Sequence, residues 1–407
     1  MSAKVFTPLA YLKNVTPGGL VVVTSGSDTF AYIVDRGWPA DPGEQPPESP
    51  LTRGGKLVKV KLAGEDSAVV ETGGWPSTAI SALLDGAKPF HGPFVPPAGS
   101  PLIVCGAVTA ELAPGEPDPG GTVSPGKLYR INGTGGLDAS IQHAQLRGPF
   151  AVAFDQAASL FVTNARANPA NNEPQIVRIG PGLAANTIQA VTFAPSIAAA
   201  LRPRAAGGIA WRQETVNSVQ QNVVYVTDLA DDPAVARGAD QPAAADRGRL
   251  LRLVLNAAGD TVTAASLYAD GLDRPIGVQF NADTAYVLCA WPGHRAEIGI
   301  DEPAQPPGTR CLPPYRTWRH PFGSIQRIPR PSDPTQKGAT EAFAPALVGA
   351  AGMAIDGGKL YVATAAGPPT IPVSWSDTNI AQLCPSNLNL KGPWRKPRSG
   401  MLYVVEL

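Results

Sequence analysis

Cysteine and histidine are scarce, with four of each in 407 residues, and the patterns they fail to make exclude several chemistries. No Cys-x-x-Cys or Cys-x-x-Cys-His occurs, so a thiol-redox centre, a zinc ribbon and a covalent c-type haem have no ligand set. A Gly-x-Ser-x-Gly elbow, a phosphate-cradling P-loop and a His-Glu-x-x-His helix are also lacking, which leaves nucleophilic catalysis without a motif. Lys plus Arg and Asp plus Glu both number 33. A chain with no net charge has no overall field to gather nucleic acid or an anionic membrane. No apolar run reaches the roughly 18 to 20 residues that cross a bilayer, and the opening MSAKVFTPLAYLKN has no long apolar signal-peptide core. Neither nucleic-acid binding nor membrane insertion is therefore expected. Met1 precedes the first predicted strand by only a few residues, as in a chain whose leader has been removed; on that reading the protein is secreted or periplasmic, and otherwise cytoplasmic.

What the chain does have is apolar material and repetition. Hydrophobic residues make up 43% and charged residues 16%, enough for a large core and too little charge for wholesale disorder. A three-part unit recurs along it. The first part is a short apolar strand after a turn: Gly148-Pro-Phe-Ala-Val-Ala-Phe154, Gly207-Gly-Ile-Ala-Trp211, Pro275-Ile-Gly-Val-Gln-Phe280 and Ala351-Gly-Met-Ala-Ile355. The second occurs six times, as 31–35, 102–106, 160–164, 224–228, 285–289 and 360–364. The third, at 55–60, 126–131, 175–179, 248–253, 323–328 and 400–405, alternates apolar with polar or basic residues, the period of a half-buried strand.

A weaker fourth strand ends each unit, as at 263–268 and 341–347. The last unit lacks one, and Val5-Phe-Thr-Pro-Leu-Ala-Tyr-Leu12 at the other end of the chain supplies the pattern. The expected architecture is thus all-β: one six-bladed β-propeller over residues 1–407 with four-stranded antiparallel blades. The N-terminal strand completes the last blade and so closes the ring. A β-sandwich would share the alternation but not the six-fold repeat. The second blade is the least regular, because Pro and Gly between Lys88 and Ser100 obscure its innermost strand.

Long insertions fall after the second strands, at about 36–54, 106–125, 229–247, 290–322 and 365–399, with a shorter one at 165–174. The opposite connections are tight turns, which predicts one elaborated face and one plain face. The insertions carry Trp38, Trp291, Trp318, Trp375 and Trp394 with Arg295, Arg319, His294 and His320. These are expected to take a protein partner or a sugar-like or anionic small molecule, since Trp and Arg bury area while keeping a stacking or polar function. Cys105 and Cys289 lie in apolar strand patterns and read as buried thiols. Cys311 and Cys384 lie in Pro-rich insertions, where a disulfide between them would imply an oxidising compartment.

The ends of the second strands place Asp35, Gly106, Asn164, Asp228, Cys289 and Thr364 around one mouth of the ring. Asp35, Asn164 and Asp228 carry oxygens suited to calcium, with Asp231, Asp232 and Asp273 available to join them. The blade pattern resembles the six-bladed propellers of the NHL, SMP-30/gluconolactonase, paraoxonase and strictosidine-synthase group. In that group's calcium-dependent lactonases an Asn closes a second strand in a context that Phe161-Val-Thr-Asn164 matches, so the resemblance implies Asn164 as a calcium ligand. The junctions Thr16-Pro-Gly-Gly, Gly148-Pro-Phe and Arg274-Pro-Ile lack the other ligands such enzymes use. Two readings result. One is a non-catalytic ligand- or protein-binding propeller working through its elaborated face. The other is a calcium-dependent lactonase or esterase, with no catalytic residue identified by sequence.

Overall fold

The computed structural model describes residues 6–13, 17–25, 27–35, 56–62, 68–71, 87–88, 102–108, 127–131, 137–164, 167, 173–228, 247–273, 275–289, 322–348, 350–364 and 399–407. The first strand, β1 (Thr7–Lys13), is set apart in sequence from the sheet it joins. β2 (Pro17–Ser25), β3 (Asp28–Asp35), β4 (Lys56–Leu62) and β5 (Ala68–Glu71) form one sheet in that order. β6 (Ala87–Lys88), β7 (Leu102–Val108), β8 (Lys127–Ile131) and β9 (Leu137–Gln142) form the next. A third consists of β10 (Pro149–Phe154), β11 (Leu160–Asn164), β12 (Ile176–Ile179) and β13 (Ile188–Ala190).

The fourth sheet has five strands: β14 (Thr192–Phe193), β15 (Ala206–Val216), β16 (Val219–Asp228), β17 (Arg247–Leu255) and β18 (Thr261–Asp273). β19 (Pro275–Asn281), β20 (Thr284–Cys289), β21 (Phe322–Pro329) and β22 (Glu341–Val348) make the fifth. In the sixth, β23 (Ala350–Asp356), β24 (Lys359–Thr364) and β25 (Ser399–Glu406) are followed by β1, which pairs antiparallel with β25 from Thr7↔Val404 to Lys13↔Ser399. The innermost strands adjoin one another: β2 packs on β23, β23 on β19, β19 on β15, and β15 on β10, which also touches β7. Meandering antiparallel sheets meeting through their inner strands define an all-β propeller.

The inner strands crowd the axis, and their sequences answer with glycine. A Cβ on Gly208 would lie 2.6 Å from the Gly277 Cα and 2.7 Å from the Ile276 carbonyl oxygen. One on Gly352 would lie 2.5 Å from the Gly18 carbonyl oxygen and 2.8 Å from the Leu20 Cβ. β2, β10, β15, β19 and β23 each also shift register within their first residues, for example between Ala206 and Ile209 and between Ala350 and Gly352. A bulge at that point bends each inner strand as it leaves the strand-end mouth of the propeller.

From the second sheet round to the first, the cores between adjacent sheets are apolar. Phe150, Phe161 and Ile176 pack with Ile209, Val224 and Leu251 between the third and fourth sheets, and Tyr225, Tyr268 and Val278 pack between the fourth and fifth. One feature departs from the repeat. After β13 the chain crosses at Val191 from the edge of the third sheet to that of the fourth, where β14 pairs parallel with β18 (Thr192↔Thr261, Phe193↔Val262). The run Ile188-Gln-Ala-Val-Thr-Phe193 carries no Gly or Pro to mark the switch, so sequence periodicity reads straight through it.

Candidate functional site: the strand-end mouth of the propeller

Every second-to-third strand connection leaves from the same end of its sheet. The facing pairs nearest that end are Asp35↔Lys56, Gly106↔Lys127, Thr163↔Ile176, Asp228↔Arg249, Cys289↔Ser324 and Thr364↔Met401. At the other end the hairpins close tightly, as at Ser25↔Asp28, Val216↔Val219, Asn281↔Thr284 and Asp356↔Lys359. The long insertion after β7 begins beyond Val108, slightly later than the sequence pattern suggests, because β7 continues two residues past Gly106.

Asn164 and Asp228 are both fully buried at this mouth. Asn164 Nδ2 donates to the carbonyl oxygens of Gln145 (2.7 Å) and Pro174 (2.8 Å), while its Oδ1 accepts from the Arg147 amide (3.1 Å). It thereby ties the segment entering β10 to the segment entering β12. Asp228 is more heavily engaged. Its Oδ1 accepts from the amides of Arg204 (3.1 Å) and Ala205 (2.9 Å), and its Oδ2 accepts from Arg249 Nε (2.9 Å) and Nη2 (2.8 Å). Arg249 in turn donates to the carbonyl oxygens of Ala200 and Arg202, the latter at 3.0 Å. The residue before each adds a second tie. Thr163 Oγ1 donates to the Gly207 carbonyl oxygen of the neighbouring inner strand at 2.5 Å, and Thr227 Oγ1 donates to that of Gly208 at 3.4 Å.

These bonds decide how Asn164 and Asp228 stand toward calcium. A calcium ion needs six to eight oxygens at about 2.3–2.6 Å, whereas both Asp228 oxygens face N–H donors, one of them a guanidinium. In this arrangement the two residues do not fit the ion. The Thr-Asn and Thr-Asp pairs act as struts that join each second strand to the chain entering the inner strand beside it, a use of short polar side chains that satisfies buried backbone groups.

The described backbone of Asp35 ends β3 at the same mouth, but its side chain is outside the described residues. So are Trp38, Trp291, His294, Arg295, Trp318, Arg319, His320, Trp375 and Trp394, together with Cys311 and Cys384. Cys289 is 1% exposed, as its apolar strand context implies. Thr364, also fully buried, has no hydrogen-bond partner for its hydroxyl among the described residues. Among the described residues no group of three or more His, Cys, Asp or Glu is placed to hold a metal.

At the axis lies a cavity of about 30 Å³ lined by the inner strands, with Leu20, Ile209, Val278 and Met353 in its wall and Gln279 the single polar side chain among the described residues that line it. Sites for small organic molecules usually measure about 300–1,000 Å³. This space is too small and too apolar to seat one.

No family model matches the chain, and no curated protein does. Among solved structures it is similar to a protein of unknown function from Dyadobacter fermentans, at 10% identity and a TM-score of 0.48 with 99% of each chain covered. It is also similar to the PQQ-bound aldose sugar dehydrogenase of Streptomyces coelicolor, at 11% identity and a TM-score of 0.46, covering 100% of this chain and 99% of that one. A third likeness, to virginiamycin B lyase of Staphylococcus aureus, has 10% identity and a TM-score of 0.40 over 98% of this chain and 99% of the other.

Proposed function

We propose that the chain is a six-bladed ring, closed by β1, that serves as a rigid non-catalytic scaffold for a binding surface built from its long connections. The observation that carries this reading is the one-sidedness of the elaboration. The five longest connections between described strands all follow second strands, β3, β7, β16, β20 and β24, and leave the same mouth, and the residues that end β11 and β16 there are spent on bracing the ring.

The chemistry of the ligand follows from which connections are richest. Segments 290–321 and 365–398 leave the fifth and sixth sheets, whose inner strands β19 and β23 are in contact. Together they hold eight Arg or Lys against four Asp or Glu, with Trp291, Trp318, Trp375 and Trp394. Indole faces stack on sugar rings and on cations, and guanidinium forks pair with carboxylates. An acidic, ring-bearing ligand such as an acidic oligosaccharide, free or carried on a protein partner, meets both requirements.

Five of the seven tryptophans lie in the long connections, so intrinsic fluorescence reports on this surface. Titration with acidic oligosaccharides is expected to shift or quench that emission saturably, and their neutral counterparts are expected to do so more weakly. Equal responses to both would contradict the assigned chemistry, and no response to either would contradict a carbohydrate ligand altogether.

A further inference from the structure

The opposite end of the molecule, where the hairpins are short, carries a second polar constellation at the seam between the fourth and fifth sheets. Asp283 lies in the tight β19–β20 turn, and its Oδ1 accepts from two guanidiniums at once: Arg212 Nη2 from β15 at 3.0 Å and Arg330 Nη1, just past β21, at 3.2 Å. Each arginine has five N–H donors and makes only this one hydrogen bond among the described residues. Both side chains are mostly buried, 19% and 23% exposed, whereas Asp283 is 62% exposed. The Arg212 guanidinium is held 4.4 Å from the centre of the Phe280 ring, which fixes its plane.

Behind them stands Tyr268, fully buried and edge-on to Tyr225 with ring centres 4.9 Å apart. Its hydroxyl has no hydrogen-bond partner among the described residues. A buried hydroxyl left unbonded costs about 1–3 kcal/mol, so such a group usually marks a missing partner. Burial raises the phenol's pKa to about 12; the negative charges of Glu214 and Asp283 add to the rise, and the positive charges of Arg212 and Arg330 oppose it. The phenol therefore sits within the field of both arginines. Glu214 is already matched by Arg252 at 2.8 Å, which leaves Arg212 and Arg330 as two positive charges facing the single one of Asp283.

We propose that this seam is a site for a small oxyanion, of the phosphate or carboxylate class, gripped by the unused donors of Arg212 and Arg330, with the Tyr268 phenol packed behind them. Asp283 acts as its internal competitor. The arrangement suits the ligand because planar guanidinium forks pair with tetrahedral and planar oxyanions through parallel charge-assisted bonds. Its position on the short-turn face makes it independent of the surface built from the long connections.

Inorganic phosphate is the probe. At constant ionic strength, with chloride as the control anion, phosphate is expected to raise the melting temperature of the full chain in a saturable way, since a ligand of the folded state stabilises it. Arg330→Gln is expected to weaken phosphate binding by roughly tenfold, the loss of one charged contact. Asp283→Asn, at an exposed turn, is expected to strengthen it several-fold by freeing both arginines. A melting temperature indifferent to phosphate would overturn the proposal, as would an Asp283→Asn chain that binds phosphate no better than the parent.

Discussion

Replacing Glu214 by alanine is expected to destabilise the protein by about 3–5 kcal/mol, the cost of leaving a buried charge without its partner. Glu214 is fully buried on β15. Its Oε1 accepts from the Tyr225 hydroxyl at 2.6 Å, and its Oε2 accepts from Arg252 Nε and Nη2 at 3.0 and 2.8 Å. Arg252, 3% exposed, also donates to Gln221 Oε1 at 2.9 Å. The three strands β15, β16 and β17 are thus locked to one another through a charged network inside the sheet. Removing the carboxylate strands both the guanidinium and the phenol hydroxyl. Removing all three members by Glu214→Leu, Arg252→Met and Tyr225→Phe is expected to cost far less than the single alanine change, because apolar side chains of similar volume avoid the desolvation penalty. Denaturant unfolding of the single and triple variants measures the difference, and a triple variant no more stable than Glu214→Ala would contradict this account of the network.

The second large effect is expected at the axis. Gly208→Ala places a methyl group 2.6 Å from the Gly277 Cα and 2.7 Å from the Ile276 oxygen, and neither is the movable end of a side chain. Overpacking in a core costs about 1–3 kcal/mol and more where backbone must move, so the change is expected near or above the top of that range. Gly182→Ala provides the contrast, since a Cβ there meets nothing within 4 Å and only its φ of 82° opposes the change. Its expected cost is about 1 kcal/mol, the penalty of a left-handed backbone for alanine. Equal melting temperatures for the two variants would show that the inner strands have slack the structure does not display.

The sequence made the second and third strands of each unit legible because their apolar alternation is local and their turns are marked. Leu160–Asn164 and Leu102–Val108 begin where the repeat puts them, and Lys359–Thr364 begins one residue earlier. The N-terminal strand was legible for a different reason: the sixth unit is one strand short, and β1 does pair with β25. Three things escaped. The β14 step between sheets lies inside a continuous run and depends on an edge 69 residues away in the chain. Glu214 sits in the polar stretch Arg212-Gln-Glu-Thr215, which reads as a solvent face until Arg252 is brought beneath it. Asn164 reads as a metal ligand by its local context, and only the positions of Gln145, Arg147 and Pro174 turn it into a brace. In each case the deciding partner is remote in sequence, and periodicity carries no information about it.

On the proposed reading the ring is the support and the long connections are the working surface. Its most direct test is a chain in which residues 290–321 are replaced by a short Gly-Ser linker, compared with the parent for thermal unfolding and for acidic-oligosaccharide binding. The account predicts a single cooperative transition close to the parent's, with binding lost. A chain that still binds as the parent does, or one that loses its cooperative transition, would contradict it.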